Sequence, residues 1–250
     1  MAGRGFAPVA GDFAARLALQ GERYEGDEPK AAFWEELVDR LEGVSGVEKA
    51  AVTTKLPLEG GRNGQILVGN EAYDSEAHRP QVEISYVSRG YFEAMGLPLL
   101  AGRVFRAGEG TEEARAVLVN QAFVERYYPG GSPIGEVFRE NRAAPRWTAT
   151  IVGVVADVPQ WGPIHPALPE WYAPFRWGPR TDSHLVVRSR PASTSLVPGL
   201  QATHMRVPLS GPGSPGLRSV QVRPFPLSRR PRRSRAPGRS VTVGGSGAGT

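Results

Sequence analysis

QVEISYVSRGYFEAMGLPLLAGRVF, residues 81–105, is the stretch whose reading decides the fold. Val82, Ile84 and Tyr86 alternate with Glu83 and Ser85, the period of two expected of a half-buried strand with one polar face. Ser88 stands where a helix N-cap belongs, Arg89–Met95 supplies a short helix, and Gly96 is placed to end it. Leu97–Leu100 then leads into Gly102-Arg103-Val104-Phe105. Strand, short helix and extended chain thus follow one another within one segment.

Upstream, Phe13–Leu19 reads as a strand. Asp27 or Glu28 can cap a helix with Pro29 in its first turn, where the missing N–H costs nothing. Phe33, Trp34, Leu37, Val38, Leu41 and Val44 recur at helical spacing, acidic residues occupy the opposite face, and Gly43 and Gly46 end the run. Val47–Leu56 is a second strand, so a parallel strand pair joined by a right-handed helical crossover is the expectation. Pro57–Gly64 is a Gly-rich loop and Gln65–Val68 a further strand. Downstream, Ala116–Val119 is an apolar strand, Asn120 can cap a helix over Gln121–Tyr127, and Pro129-Gly130-Gly131 stops it. Trp147–Val158 is the strongest strand signal, rich in β-branched residues. Gly153 in its middle points to a bulge or a close backbone approach. Trp171–Phe175 and His184–Arg188 are the last strands.

The 250-residue chain is 40% hydrophobic and 22% charged, which fits a folded protein of one or two domains. With no cysteine, disulfides, thiolate nucleophiles and zinc–thiolate or iron–sulfur centres are excluded. No run of about 18 apolar residues spans a bilayer. Met1–Ala10 has one Arg and no apolar core, so it does not read as a signal peptide. The net charge of +5 is unevenly spread. Residues 183–250 hold 11 Arg and no Asp, Glu or Lys, leaving residues 1–182 with 19 basic and 25 acidic side chains, a net of −6. The body is therefore mildly acidic and does not attract nucleic acid on charge grounds.

A catalytic constellation is hard to assemble. His78, His165, His184 and His204 show no i, i+4 pairing and no H-E-x-x-H, and no G-x-S-x-G elbow occurs. Ser132, between Gly131 and Pro133, sits in a turn that lacks the Lys of a phosphate loop. Glu35-Glu36 and Glu112-Glu113 are adjacent acids that diverge or face solvent. Asp157, closing an apolar strand, is the best single candidate for a buried carboxylate, though capping of the following turn accounts for it. Trp161, Trp171, Trp177, Tyr172 and Phe175 read as core or, alternatively, as an exposed aromatic patch for a partner.

Several runs together resemble one family. Tyr86-Val-Ser-Arg-Gly-Tyr-Phe-Glu-Ala-Met-Gly-Leu-Pro-Leu-Leu-Ala-Gly-Arg-Val-Phe105 is similar to the V-s-x-x-Y-F-x-x-m-G-i-p-l-l-x-G-R-x-F stretch of MacB-like periplasmic core domains of FtsX/MacB-type ABC permeases. Val117–Val124 followed by Tyr128-Pro129-Gly130 and Pro133-Ile134-Gly135, then Ile151–Val158 and Glu170–Phe175, resemble three further motifs in the family's order. The pattern is closest to the acidobacterial-type permeases. The resemblance implies an α+β fold: a βαβ-rich subdomain (13–58 and 184–206) with an inserted mainly-β subdomain (60–180), together a core over 13–190. It implies an extracytoplasmic, non-catalytic coupling or binding module at the periplasmic face of the inner membrane, without cofactor or metal. Its partners would be membrane-embedded permease segments, an ABC ATPase subunit and an extracytoplasmic protein, with no nucleic acid. Positions expected to hold this fold are Gly96, Gly102, Asn120, Pro129, Gly135, Gly153 and Asp157. A soluble enzyme with an unrecognised site is the alternative of a different class.

Residues 207–250 read as a disordered basic tail. Residues 191–250 contain 18 Gly plus Pro, and Arg229-Arg230-Pro231-Arg232-Arg233-Ser234-Arg235 is a dense basic cluster. Phosphate contacts are conceivable there, but only Phe225 is available for base stacking. An excess of Arg, Pro, Gly, Ser and Ala without acids is also what a GC-rich reading frame gives when read out of register, so a frameshift between about 188 and 208, and a truncated permease fragment, is expected. Sequencing the locus tests this: membrane spans in another frame are the expected result, and an intact frame through the region overturns it.

Overall fold

The structure is a computed structural model that describes residues 13–57, 62–68, 80–106, 108–111, 115–141, 145–158, 166–189 and 218–224. Near the N-terminus, β1 (Phe13–Ala18), α1 (Asp27–Glu42) and β2 (Val47–Thr53) follow in order. The expected parallel pair is corrected: β10 (Asp182–Ser189) lies between β1 and β2 and pairs antiparallel with both. The two N-terminal strands are still parallel to each other, in the manner of a split βαβ unit. Of residues 207–250 the structure describes 218–224. They form β11 (Arg218–Pro224), which pairs antiparallel with the outer edge of β1.

This flank is apolar on both faces because both are covered. Phe33, Trp34, Leu37 and Leu41 of α1 pack with Phe13, Ala15, Leu17, Val52, Leu185 and Val187. The Trp34 indole N–H donates to the Arg180 carbonyl at 2.8 Å. On the other face Ala14, Ala51 and Val186 meet α2 (Tyr91–Met95), whose Tyr91, Phe92, Ala94 and Met95 are all buried. Small residues on that face let a five-residue helix lie close to the sheet. Asp27 and Glu28 sit in the first turn of α1 after a Gly26 N-cap, so neither is the cap. Ser88 does not cap α2 either. Its hydroxyl accepts the Val52 N–H at 3.0 Å, tying the helix approach to β2.

The remaining strands close on themselves. β4 (Gln81–Val87) pairs with β3 (Arg62–Val68), β3 with β7 (Val137–Glu140), β7 with β8 (Thr148–Val155), β8 with β6 (Ala116–Asn120), β6 with β9 (Glu170–Pro174), and β9 returns in parallel to β4. Ile66, Val68, Val82, Ile84, Val117, Val119, Phe138, Ala149, Ile151 and Trp171 share the core inside this ring. α3 (Gln121–Tyr127) adds Phe123 to it. The aromatic run is core here: Trp171 is buried and lies 5.4 Å from Phe138 and 5.5 Å from Trp177, ring centre to centre. Trp161 lies outside the described residues.

β8 bulges between its β6 partners Val117 and Leu118, beside Gly153. Gly153 pairs with Gly102 of β5 (Leu99–Gly102). A Cβ on Gly153 would run into the Arg103 carbonyl, and one on Gly102, whose φ is +71°, into the Val152 carbonyl. Two glycines are thus what lets β5 and β8 cross at this distance. Gly153→Ala is expected to lower stability by about 2–3 kcal/mol, whereas Gly131→Ala, which meets only ordinary contact, should stay within about 0.5 kcal/mol. Urea denaturation of the two variants measures the contrast.

Candidate functional site

The flank and the ring touch at a seam. Its backbone part is short: Thr53 of β2 pairs with Val87 of β4, Ser88 N–H donates to Val52 O at 2.9 Å, and Thr54 N–H to Tyr86 O at 3.0 Å. The polar side chains of β4 and β9 turn toward this seam and are not on a solvent face. Glu83 is 8% exposed, Ser85 1% and Glu170 0%. Lys55, leaving β2 and 6% exposed, places its ammonium 2.8 Å from Glu83 Oε2 and 3.0 Å from Glu170 Oε1. Ser85 donates to Glu170 Oε1 at 2.6 Å, and the Tyr172 hydroxyl to Glu170 Oε2 at 2.9 Å. Burial, reinforced by the Glu170 charge, holds the Tyr172 and Tyr91 phenols far above their ordinary pKa, so both stay neutral. One lysine from the flank therefore bridges two carboxylates on adjacent parallel strands of the ring.

This corrects the expectation for Asp157. The deeply buried carboxylates are Glu170 and Glu83, while Asp157 is half-buried and accepts the Ala122 N–H at 2.9 Å. Burial pushes its carboxyl above the usual range. It thus serves the first turn of α3. Asn120 works on the same turn: its Oδ1 accepts Phe123 N–H at 3.0 Å and Glu170 N–H at 2.9 Å, and its Nδ2 donates to Leu168 O at 2.9 Å. Asn120 and Asp157 thus converge, and Gly102 meets Gly153 across the β5–β8 ladder. Gly96 ends α2, exposed Pro129 follows α3, and Gly135 donates to Ile151 O at 2.9 Å, each at its own place. None of the seven is in the Lys55 cluster, although Asn120 holds the backbone of Glu170. The signal for the cluster is a single acid, Glu170, set between Pro169 and the apolar run Trp171–Phe175.

Beside the seam a cleft of about 480 Å³ opens between α1, the 88–90 turn, the 105–111 loop and the end of β9. Its rim is tied by ion pairs. Arg176 grips Glu35 (Nε–Oε1 2.7 Å) and Glu28 (Nη1–Oε2 2.7 Å), Lys49 meets Glu42 at 3.0 Å, and Arg103 holds Glu109 in a two-point contact. That contact keeps the Glu109 carboxyl below its usual range. The Lys55 cluster does not line this cleft. Among the described residues no group of three or more acids or histidines is arranged to hold a metal ion. His184 lies half-buried in β10, where burial lowers its pKa, and the other three histidines lie outside the described residues.

Residues 8–196 match the model of the MacB-like periplasmic core domain. The chain belongs to this family. As a MacB-like periplasmic core domain it is an extracytoplasmic module of the ABC-transporter permease type, a class that works with membrane segments and an ATPase. Solved structures agree on the fold. The periplasmic region of MacB from Actinobacillus actinomycetemcomitans superposes with a TM-score of 0.51 at 16% identity, covering 79% of this chain and 83% of that one. A permease domain from Porphyromonas gingivalis gives 0.50 at 17% identity, covering 87% and 92%. No curated protein matches the sequence. Among the described residues no helix of this core domain is long and apolar enough to cross a membrane.

Lys55→Met removes the only cation placed between two buried carboxylates among the described residues. It should cost about 3–5 kcal/mol. Adding Glu83→Gln and Glu170→Gln should recover most of that loss. Urea denaturation of the single and triple variants is the measurement.

Proposed function

We propose that this domain is a non-catalytic coupling module, which passes a change of shape between the membrane-embedded and ATP-driven parts of an ABC permease and a protein met outside the membrane. The observation that supports it is the seam. A short β2–β4 ladder and one buried ion cluster join flank to ring, and Arg176 straps the end of β9 to α1. A packed interior of this kind moves as a block or switches between discrete packings, and does not deform continuously. The polar groups of the seam spend their hydrogen bonds on one another, which suits holding a joint better than turning over a substrate. Membrane-embedded permease segments and an ABC ATPase subunit are the partners on one side. No cofactor takes part, and the module works at the extracytoplasmic face of the inner membrane.

The test uses the permease carrying this domain, reconstituted with its ATPase and spin-labelled at Glu22→Cys beside α1 and Ser132→Cys on the ring. Electron–electron distance measurements should give one unchanged distance within the module in every nucleotide state. Lys55→Met, or Arg176→Gln where the first is too unstable, should broaden that distance and abolish nucleotide-driven movement of the ring relative to the bilayer while ATP hydrolysis continues. Full movement in a folded variant overturns the proposal.

A further inference from the structure

The cleft beside the seam is lined by charges of both signs. Glu35, Asp39 and Glu42 fall at i, i+4 and i+7 along α1, so one stripe of the helix presents three acids to the cavity. The outer two are taken, Glu35 by Arg176 and Glu42 by Lys49. Asp39, between them, makes no side-chain hydrogen bond or ion pair among the described residues. Arg89, in the 88–90 turn, is in the same position: it lines the cavity, is exposed, and engages no acid among the described residues. Arg106 lines the cavity as well, beside Glu109. The lining also includes the apolar side chains of Val38, Trp34 and Phe105.

We propose that this cleft binds a small zwitterion with an apolar body. Its ammonium is taken by Asp39 and its carboxylate by Arg89, while its apolar part lies on Val38 and Phe105. A neutral apolar molecule would leave both charges facing it without partners. A simple anion or cation would pair with only one of the two and leave the other without a counter-charge. Only a ligand carrying both charges at its two ends satisfies the pair. The cavity is of the size that small-molecule sites usually have, roughly 300–1,000 Å³. This site goes beyond the coupling role and does not depend on it, since binding can be read on the chain alone.

The experiment is isothermal titration of the full chain with the dipeptide phenylalanyl-leucine at low salt. Saturable one-to-one binding is expected. The N-acetylated and the C-amidated dipeptides should each bind about tenfold more weakly, as loss of one charge-assisted hydrogen bond predicts. Asp39→Asn and Arg89→Gln should weaken the unblocked dipeptide by a similar factor with no change in Tm, because both side chains are exposed. No binding at millimolar dipeptide overturns the proposal, and so does binding that ignores the blocked ends or both substitutions. The blocked dipeptides need no variant, so the proposal stays testable even if a substitution disturbs folding.

Discussion

A single ammonium held between two carboxylates in a dry interior is the interaction on which the two halves of this domain depend. Lys55 comes from the flank; Glu83 and Glu170 come from neighbouring strands of the ring. Taking such charges out of water is expensive, and the attraction between them repays it only if geometry and hydrogen bonding are good. Here Glu170 gains two more hydrogen bonds, from the Ser85 and Tyr172 hydroxyls. The cluster adds little net stability over a well-packed apolar seam, but it makes the relative placement of the halves specific. Sliding β4 against β9 by one residue would send Glu83 or Glu170 into the aromatic core of the ring.

That ring is closed by one unusual pairing. β9 returns in parallel to β4, so six strands complete a circuit in which each edge is met by another. The circuit has two chemically different faces. Its inside is filled by aromatic and β-branched residues, and part of its outside is not solvent but the seam, covered by α2 and Lys55. This explains why Glu83 and Ser85 of β4 are polar and yet buried. The alternation of Glu83 and Ser85 is the ordinary mark of a half-buried strand, and its environment is decided by residues far along the chain.

Much of the fold is legible in the order of the residues alone. α1 announces itself through the spacing of Phe33, Trp34, Leu37 and Leu41, and β8 through its β-branched run with Gly153 at the bulge. Local chemistry fixes such elements. What cannot be read that way is which strands become neighbours. Nothing in residues 13–53 says that β10 will lie between β1 and β2, and nothing in the β4 or β9 segments says that they pair. The Lys55 cluster escapes a reading of the sequence for the same reason. Lys55, Glu83 and Glu170 are ordinary one by one, and only the tertiary pairing makes them a cluster, whereas Asp157 looks promising because its apolar setting is local.

The interposition of β10 has a consequence for how the domain is made. Phe13 of β1 pairs with Val187, so β1 leaves the ribosome well before the strand it pairs with, and the flank cannot close until that strand follows. At roughly 5–20 residues per second of synthesis, that wait is on the order of ten to thirty seconds. During it, β1 and β2 carry bare edges and α1 an apolar stripe with nothing to cover it. Pairings so distant in sequence are also slow to form once both strands exist. The newborn chain is therefore exposed to mispairing for far longer than the finished domain ever is, and its yield in a cell depends on shelter for residues 13–53 during that time.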